Sequence, residues 1–446
     1  MSQVLRLGFA ALARTTFDIG LAEATAQAAW RTLEQAGFEM VGDARLLTEH
    51  EALKAAARAL TSEPLDALIA FQATFTDSTF ITQLAEAVDA PLLMWAVPEA
   101  RTGERLRLNA LCGINLAGHA LTLRRRAYEW LYTSPDDLRA TAKIEAVAKA
   151  GRVRRRLRDA RIGVVGEPPS GFDSCYLDAE QLRHRLGVQI VHLDLASVFA
   201  RIQSVDEAQR NAARAQVAAH VSGLEALEQG PLAGTLATYI ALRTLAAELR
   251  CDALAVRCWP EFFTDLGCAA CGAMALLNTE CVPCGCECDV NGTLSQLVLQ
   301  WIADQPAFGT DLVACNIAED SAVVWHCGQA PLTMADPATP VRGGVHPNRR
   351  LPLVMEFALK PGPITLARLS RASDGLCWVI GCGEVQSAPP SFSGTSGVLR
   401  FARPVEAVLS TLLSQGIEHH LALSYGNHTA ALHALAKVLG LPVIPL

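Results

Sequence analysis

Two carboxylates and a pair of histidines in the second half of the sequence could together bind a hard metal ion. Glu287 lies in the segment CECDVNG, and Asp311 follows in FGTDLVACN, at the opening of an apolar strand-like run. His419 and His420 stand side by side in IEHHLALSYGNH. Carboxylate oxygens and an imidazole nitrogen suit Mn²⁺ or a similar divalent ion with open positions. Such an ion polarises a carbonyl and an adjacent hydroxyl, while carboxylates move a proton.

A further acidic residue, Asp289, follows Glu287 by two positions in the same apolar segment. A carboxylate that is buried without a partner is costly, so each acid is either paired or a metal ligand. If the segment is a strand, Glu287 and Asp289 face the same side. Asp289 could alternatively cap a helix that begins near Asn291. For a single acid at a strand end, a cap or an ion pair is the ordinary explanation.

Cysteines form the most conspicuous local pattern, with two C-x-x-C pairs on either side of the nine residues 272–280. The pairs are Cys268 with Cys271 and Cys281 with Cys284. Such spacing is typical of zinc and iron–sulfur sites. However, the intervening GAMALLNTE has a helical pattern, and the second pair continues into alternating thiols along an apparent strand. We therefore interpret these cysteines as small buried residues, with a Cys-ligated metal or redox protein as an alternative.

Phosphate-binding signatures are missing from the sequence. The loop GEPPSGF after a predicted strand lacks the G-x-G-x-x-G spacing, and no P-loop is present, which disfavours nicotinamide and ATP chemistry. The loop still occupies a position that commonly faces a ligand, so Phe172 is a candidate substrate contact. Trp259 is a candidate stacking wall for a sugar. Arg257 and His326 are candidate contacts to hydroxyls or an anion, although His326 could equally be a satisfied core histidine.

Composition excludes several classes of protein. The chain has 446 residues, of which 51% are hydrophobic and 19% charged, so a disordered chain is excluded. A net charge of −7 and an aromatic content of 6% argue against nucleic-acid binding. No apolar run reaches the roughly 18 residues of a membrane span. Arg6 and Arg14 interrupt the apolar start, which we interpret as a strand and not a signal peptide. We therefore expect a cytoplasmic protein with reduced thiols and no membrane partner.

Strands alternate with helices over most of the chain, which predicts parallel sheets covered on both faces. We expect an α/β fold with two Rossmann-like parallel-sheet domains followed by a smaller, barrel-like β-rich domain. The first domain spans residues 1–160 and ends in a long helical arm, Asn115–Ala160, interrupted near Pro135. The second, 161–305, carries the acidic motif. The third, 306–446, carries the His-His motif and closes with a helix at Thr429–Leu439.

The order of Glu287, Asp311 and the histidine pair resembles the fucose/arabinose isomerase superfamily. Asp311 follows Glu287 by 24 positions, which matches the spacing of the metal carboxylates in fucose isomerases. The stretches RCWPE and CECDVNGTLSQLVL also resemble family segments. The resemblance implies a Mn²⁺-dependent aldose–ketose isomerase that acts through an enediol on a pentose, a 6-deoxyhexose or a modified sugar. In it Glu287 and Asp311 are catalytic, and they bind the metal together with His420 in preference to His419, which is a candidate substrate contact.

The resemblance further implies a homo-trimer or homo-hexamer, in which a neighbouring subunit's N-terminal domain completes each site. His326 aligns loosely with a further metal-site histidine of the arabinose branch. A function of a different class remains open from the residues alone. Two Rossmann-like domains around a cleft would also suit a non-catalytic sugar-binding protein, which would have no need of the Glu287 and Asp311 pair.

Overall fold

A computed structural model describes residues 4–372 and 375–446. The chain divides into two compact units. The first comprises Met1–Arg156 and Ala430–Gly440, and the second comprises Leu157–Thr429 and Leu441–Leu446. Among the residues described, no helix combines the length and the apolar character that crossing a membrane requires.

The first unit is built on a parallel sheet with strand order β2-β1-β3-β4-β5. Its strands are β1 (Arg6–Leu12), β2 (Glu39–Leu47), β3 (Ala67–Gln72), β4 (Leu92–Ala96) and β5 (Tyr128–Tyr132). Its helices are α1 (Ile19–Gln35), α2 (His50–Leu60), α3 (Ser78–Ala87), α4 (Ala110–Leu123) and α5 (Leu138–Leu157), joined by the helix Thr429–Leu439 near the end of the chain. Every residue of β3 and β4 is buried, as central parallel strands require. The predicted Rossmann-like sheet is confirmed.

The predicted helical arm over Asn115–Ala160 is wrong in its middle. The strand β5 lies between α4 and α5 and pairs with β4 at the edge of the sheet. The sequence of β5, YEWLY, is rich in aromatic residues that favour strands, but it is only five residues long and Leu131 alone is buried. Pairing with β4, a tertiary contact, therefore overrides the helical character of the flanking segments.

The second unit begins with a smaller parallel sheet of order β7-β6-β8-β9. These strands are β6 (Arg161–Val165), β7 (Gln189–Leu193), β8 (Ala253–Val256) and β9 (Cys284–Gly285). The helices around them are α6 (Ala179–Leu186), α7 (Leu195–Gln203), α8 (Glu207–Ala218), α9 (Gln229–Glu248), α10 (Glu261–Thr264), α11 (Cys271–Thr279) and α12 (Val290–Ala303), with short 3-10 turns at Asp173–Cys175 and Leu224–Ala226.

A closed antiparallel barrel follows, so the predicted barrel-like part is confirmed. Its strands follow one another around the barrel in the order β10, β11, β16, β15, β14, β17, because β15 pairs with β16 and closes the ring. The remaining elements in chain order are β10 (Phe308–Asn316), β11 (Ser321–His326), a 3-10 turn (Leu332–Met334), β12 (Arg342–Gly344), β13 (Val354–Ala358), β14 (Gly362–Ala372), β15 (Gly375–Gln386), β16 (Thr395–Phe401), α13 (Val405–Ser414), β17 (His420–Tyr425), α14 (Thr429–Leu439) and β18 (Val443–Pro445).

One hydrophobic core joins the second sheet to the barrel. The same cluster of buried side chains includes Leu254 of β8, Leu366 of β14 and Leu423 of β17. Helix α12 is buried along its whole length from Val290 to Ile302, so it has no exposed face. The helix is wholly enclosed, and its polar side chains are buried as well as its apolar ones, among them Thr293, Ser295 and Gln296. The N-terminus of α12 consequently brings the acidic motif into the interior of the unit.

Candidate active site

Neighbouring strands of the barrel place Asp311 and His420 opposite each other. The two residues are direct cross-strand partners in the antiparallel pair of β10 and β17. His420 Nε2 lies 3.8 Å from Asp311 Oδ1 and also 3.8 Å from Glu287 Oε2. Glu287 reaches this point from the turn between β9 and α12. Residues that are far apart in the sequence therefore meet at one imidazole, and we refer to Glu287, Asp311 and His420 as the carboxylate–histidine cluster.

The turn that carries Glu287 has an unusual backbone. Glu287 and Cys288 both have positive φ, 58° and 56°, although neither is glycine. Left-handed conformations at such residues cost on the order of 1–3 kcal/mol each and are concentrated at functional sites. Strand β9 already ends at Gly285. The strand predicted through this segment is therefore wrong, and the turn, not strand alternation, sets the directions of Glu287 and Asp289.

Asp289 organises the cluster from beneath. It is the N-cap of α12, and its Oδ1 accepts the backbone N–H of Gly292 at 2.8 Å, so the capping interpretation is confirmed. Its Oδ2 lies 2.9 Å from His420 Nδ1 and also accepts a hydrogen bond from Arg368. A carboxylate at Nδ1 holds the proton there and leaves Nε2 with a lone pair. Nε2 is the nitrogen that faces Glu287 and Asp311.

Arg368 is the functional residue that sequence reasoning missed. Its side chain is completely buried, and its guanidinium pairs with Asp289 and with Glu418. The available signal was its position in β14, where Arg368 shares an alternation with the buried Ile364 and Leu366. A charged residue at an inward position of a strand needs a buried partner of opposite charge. That requirement pointed to an acid such as Asp289.

Burial and pairing shift the acid–base properties of the cluster in different directions. Burial raises the pKa of Asp289, but the charge of Arg368 and the contact with His420 outweigh it, so the net pKa lies well below its usual range. Burial likewise raises the pKa of Glu287, and the neighbouring His419 and His420 bring it below the ordinary value. For Asp311 burial dominates, and the pKa is raised. The pKa values of the two carboxyl groups that face this imidazole are thus shifted in opposite directions: that of Glu287 is lowered and that of Asp311 is raised.

The cluster fits a divalent metal ion. Asp311 Oδ1 is buried and has no hydrogen-bond partner among the residues that the structure describes. Two overlapping groups of side chains could hold an ion, Cys175 with Glu287 and His420, and Asp311 with His326 and His420. Donors on one ion at about 2.1 Å each lie no more than about 4.2 Å apart. The separation of 3.8 Å between His420 Nε2 and an oxygen of each carboxylate meets that limit, whereas Glu287 and Asp311 belong to different groups and do not meet it with each other. The oxygen and nitrogen donors suit Mn²⁺.

Aromatic side chains surround Glu287 on its outer side. Trp259 Nε1 donates a hydrogen bond to Glu287 Oε1 at 3.0 Å, and His419 Nε2 lies 3.2 Å from Oε2. The ring of Phe172 lies 5.3 Å from that of Trp259 and 6.3 Å from that of His419. The structure therefore brings together three of the predicted substrate contacts. Of these, Trp259 and His419 hold the two oxygens of Glu287.

Proteins of known function resemble this chain over almost its whole length. Residues 8–158 match the family model described as the N-terminal domain of fucose/sulfoquinovose isomerase, and residues 355–446 match the C-terminal domain of L-fucose isomerase. The chain is 30% identical over 436 residues to a sulfoquinovose isomerase of Alkalicoccus urumqiensis, with 98% of each chain covered. It is 31% identical over 433 residues to the sulfoquinovose isomerase of Priestia megaterium, with 96% of each covered.

The chain belongs to the fucose/sulfoquinovose isomerase family. The family resemblance predicted from Glu287, Asp311 and the histidine pair is confirmed. The protein is a sugar isomerase, which is an intramolecular oxidoreductase. The fucose isomerase family is generally metal-dependent, and the carboxylate–histidine cluster supplies donors of the required kind.

Two further predicted contacts of this isomerase are already engaged within the protein. Arg257 pairs with Glu261 at 2.7 Å and donates to the carbonyl of Glu167 at 2.9 Å, so it anchors the GEPPSGF loop that carries Phe172. His326 is buried, with its ring 5.7 Å from that of His420. Burial lowers the pKa of His326 well below the ordinary value, which keeps its ring neutral.

The cysteine pairs of the isomerase are separated by a helix. Cys271 is the first residue of α11 and Cys281 lies beyond its end, which places them about 13–15 Å apart at 1.5 Å per residue. The two C-x-x-C pairs therefore do not share one ion. Cys271 instead meets Cys327, with 3.2 Å between the two sulfur atoms.

Proposed function

We propose that this isomerase interconverts the aldose and ketose forms of a sulfonated hexose, sulfoquinovose, with Mn²⁺ held by Glu287, Asp311 and His420. One observation carries the proposal. His420 Nε2 lies 3.8 Å from an oxygen of each carboxylate, and Asp311 Oδ1 has no hydrogen-bond partner among the described residues. The relatives named sulfoquinovose isomerase support the choice of sugar.

The residues of the chain divide the chemistry between them. A bound divalent ion polarises the sugar carbonyl and its neighbouring hydroxyl, which makes the hydrogen on the adjacent carbon acidic. Glu287 and Asp311 stand on either side of His420 and transfer the proton between C1 and C2 through the enediol. Trp259 and His419 orient Glu287, and Asp289 orients His420, so the reacting groups are held in place before the sugar binds.

A sulfonate group calls for a cation near the sugar. Arg368 is buried and paired, and Arg257 is bound to Glu261 and the loop. Arg349 is exposed, and its guanidinium lies 4.7 Å from the ring centre of Trp259. We assign the sulfonate contact to Arg349, since it combines an available guanidinium with a position beside the ring that contacts Glu287.

We further propose a homo-trimer or homo-hexamer that works in the cytoplasm and whose sites are completed by a neighbour's N-terminal domain. Large apolar side chains are exposed on the first unit. Trp130 is 53% exposed, Leu123 is 70% exposed and Leu138 is 82% exposed. Exposed apolar surface of this kind is typical of protein interfaces. Light scattering of the active enzyme at micromolar concentration should give the mass of at least a trimer, and a fully active monomer would contradict the shared site.

Turnover assays on metal-depleted protein test the proposed reaction. The enzyme is stripped with a chelator, checked by elemental analysis, and given Mn²⁺, Mg²⁺ or Zn²⁺ in turn. We expect activity to return best with Mn²⁺, and solvent deuterium to enter the sugar at the carbon next to the carbonyl. Sulfoquinovose should react faster than glucose, fucose or arabinose. Full turnover without detectable metal would overturn the metal assignment, and binding without turnover would favour a sugar-binding protein.

A further inference from the structure

Cys271, Cys327 and His346 form a second buried group of reactive side chains, which we call the thiol cluster. Their ligand atoms all lie within 4.8 Å of one another. Apolar side chains that include Val354 and Phe263 pack around the two cysteines. None of the three residues is part of the carboxylate–histidine cluster, and Cys271 belongs to the C-x-x-C pattern that the isomerase chemistry leaves unexplained.

The orientation of His346 argues against a metal ion in the thiol cluster. Its Nδ1 accepts the backbone N–H groups of Asn348 and Arg349, each at 3.3 Å. An imidazole with an unprotonated Nδ1 carries its hydrogen on Nε2 when it is neutral. A histidine that binds a metal through Nε2 instead donates a hydrogen from Nδ1. His346 is therefore placed to donate a hydrogen bond to sulfur and not to bind an ion.

Three features stabilise a thiolate at Cys271. It is the first residue of α11, and the positive end of a helix dipole favours a negative charge at that position. The hydrogen bond from Cys327 lowers the pKa of Cys271, burial raises it, and a hydrogen bond from His346 lowers it again, with a result of about 6. A thiol at a helix N-terminus beside a histidine is the environment of reactive cysteines.

We propose that Cys271 and Cys327 are a redox-active dithiol, which hydrogen peroxide oxidises to an intramolecular disulfide. The Cys271 thiolate attacks one peroxide oxygen, the O–O bond breaks, and hydroxide leaves, so the sulfur becomes a sulfenic acid. Cys327 then attacks that sulfur, the S–O bond breaks, and the hydroxide leaves as water with the proton of Cys327. Two electrons pass from the two thiols to the peroxide, and the distance between the sulfur atoms, 3.2 Å, suits the second step.

Burial of the thiol cluster selects the oxidant. Cys271 is 3% exposed and Cys327 is 7% exposed. In disulfide exchange the Cys271 thiolate would attack a sulfur of glutathione disulfide in line with its S–S bond, so the whole disulfide must reach Cys271 and access limits the rate. Hydrogen peroxide is little larger than water, whereas glutathione disulfide is a peptide. Peroxide should therefore oxidise the pair at a dose where glutathione disulfide leaves it reduced.

A second thiol pair in the same unit provides a matched control. Cys258 and Cys286 have sulfur atoms only 2.8 Å apart and are both buried. Burial and the contact with Cys258 raise the pKa of Cys286 well above the ordinary value. The control pair is thus closer together, but it lacks the helix N-terminus and the imidazole. If proximity alone governed oxidation, Cys258 and Cys286 would react first.

Peptide mapping distinguishes the two pairs in the wild-type enzyme. Trypsin is unsuitable because residues 258–342 contain no cleavage site before Arg342. Cleavage after glutamate separates Cys271 on residues 262–280, Cys327 on 320–356, Cys258 on 249–261 and Cys286 on 281–287. After limited peroxide and alkylation under denaturing conditions, we expect 262–280 to be cross-linked to 320–356 before 249–261 is linked to 281–287.

Variants test the direction of the reaction. In Cys327→Ser the sulfenic acid at Cys271 cannot be resolved, so a cyclic 1,3-diketone should label residues 262–280. In Cys271→Ser the same dose should leave Cys327 unlabelled. His346→Phe should slow disulfide formation by roughly two- to tenfold, because the smaller thiolate fraction is partly offset by higher intrinsic nucleophilicity. The melting transition of each variant verifies that it is folded.

Several results would overturn the proposal. One is prior oxidation of the Cys258 and Cys286 pair in the wild-type enzyme. Another is a thiol cluster that stays reduced while exposed thiols such as Cys112 and Cys281 are oxidised. Stoichiometric zinc that is released only when Cys271 or Cys327 is replaced would show a metal site in its place.

Discussion

The carboxylate–histidine cluster and the thiol cluster are reached by consecutive residues. His326 ends β11 and stacks near His420, whereas Cys327 meets Cys271. Oxygen and nitrogen donors converge in the first cluster, and Asp311 Oδ1 is left without a partner in the described structure. In the second, soft sulfur atoms contact each other and the imidazole acts as a donor. Adjacent positions thus lead to the cluster that we propose for a hard cation and to the cluster that we propose for thiol oxidation, because their partners differ.

Neutralising either carboxylate should have the largest effect and should leave the thiol cluster intact. We expect Glu287→Gln and Asp311→Asn each to lower turnover by about 100-fold or more, since each loses both a metal ligand and a proton carrier. The other carboxylate and His420 should retain part of the metal. Steady-state kinetics and elemental analysis on the same samples should show a rate loss that exceeds the metal loss.

Excess Mn²⁺ provides the control for that comparison. Added metal should not restore the rate of Glu287→Gln, because the proton carrier is still missing. Peroxide should still link Cys271 to Cys327 in this variant. Normal isomerisation by Glu287→Gln, together with an inactive Asp289→Asn, would show that the catalytic acid of this motif is Asp289, two positions after Glu287.

Substitution of Asp289, which contacts His420 of the carboxylate–histidine cluster, should mainly lower the free energy of unfolding. From the sequence alone, Asp289→Asn is expected to lower turnover less than Glu287→Gln does. The structure changes that expectation, because Asp289 pairs with the fully buried Arg368. Removing one partner of a buried ion pair typically costs about 3–5 kcal/mol. Denaturant unfolding should show a loss of this order.

A double variant separates pairing from other losses at that position. In Asp289→Asn with Arg368→Met neither member of the pair remains as a buried charge without the other, although Glu418 also loses its contact with Arg368. Its loss in unfolding free energy should be smaller than the sum of the two single losses. Strict additivity would mean that the two side chains do not stabilise each other.

Arg349 lies between the two clusters and should affect sugar selectivity. Its guanidinium lies 4.7 Å from the ring of Trp259 and 5.2 Å from that of Phe263, whose ring contacts His346 at 5.1 Å. We expect Arg349→Gln to raise KM for sulfoquinovose by about tenfold, the loss of one exposed charged contact. KM for an unsulfonated aldose should be nearly unchanged. Equal losses for both sugars would assign Arg349 to packing.

The same two clusters show what the sequence could and could not predict. Buried strands, the carboxylates and the histidine pair were predictable, because apolar runs and metal-ligating residue types are local signals. The pairing of Cys271 with Cys327 spans 56 positions and could not be predicted from the sequence. The nearby C-x-x-C spacing favoured partners within the same segment, whereas α11 carries those partners apart. Arg368 and the left-handed turn at Glu287 likewise depend on packing around α12.

The edge strand β5 shows the opposite limit, in which a local signal misleads. Its flanks are rich in residues that favour helix, and only Leu131 is buried. Hydrogen bonds to β4 determine its conformation. The aromatic residues of YEWLY favour a strand, but this signal covers five residues and the longer helical pattern on both sides outweighs it.

The smallest predicted effect concerns the pH dependence of stability at the thiol cluster. The pKa of Cys271 in the folded protein is about 6, below the value of about 8.5 for a free thiol. A lowered pKa stabilises the folded state above the unfolded pKa, and this stabilisation disappears as the pH falls through the folded pKa. The difference in unfolding free energy between wild type and Cys271→Ser should therefore shrink as the pH falls from about 9 to about 6. Urea unfolding at several pH values under reducing conditions measures that difference, with Cys284→Ser as the control, because burial raises the pKa of Cys284. A constant difference for Cys271→Ser would mean that no thiolate forms there, and the peroxide reaction would lose its nucleophile.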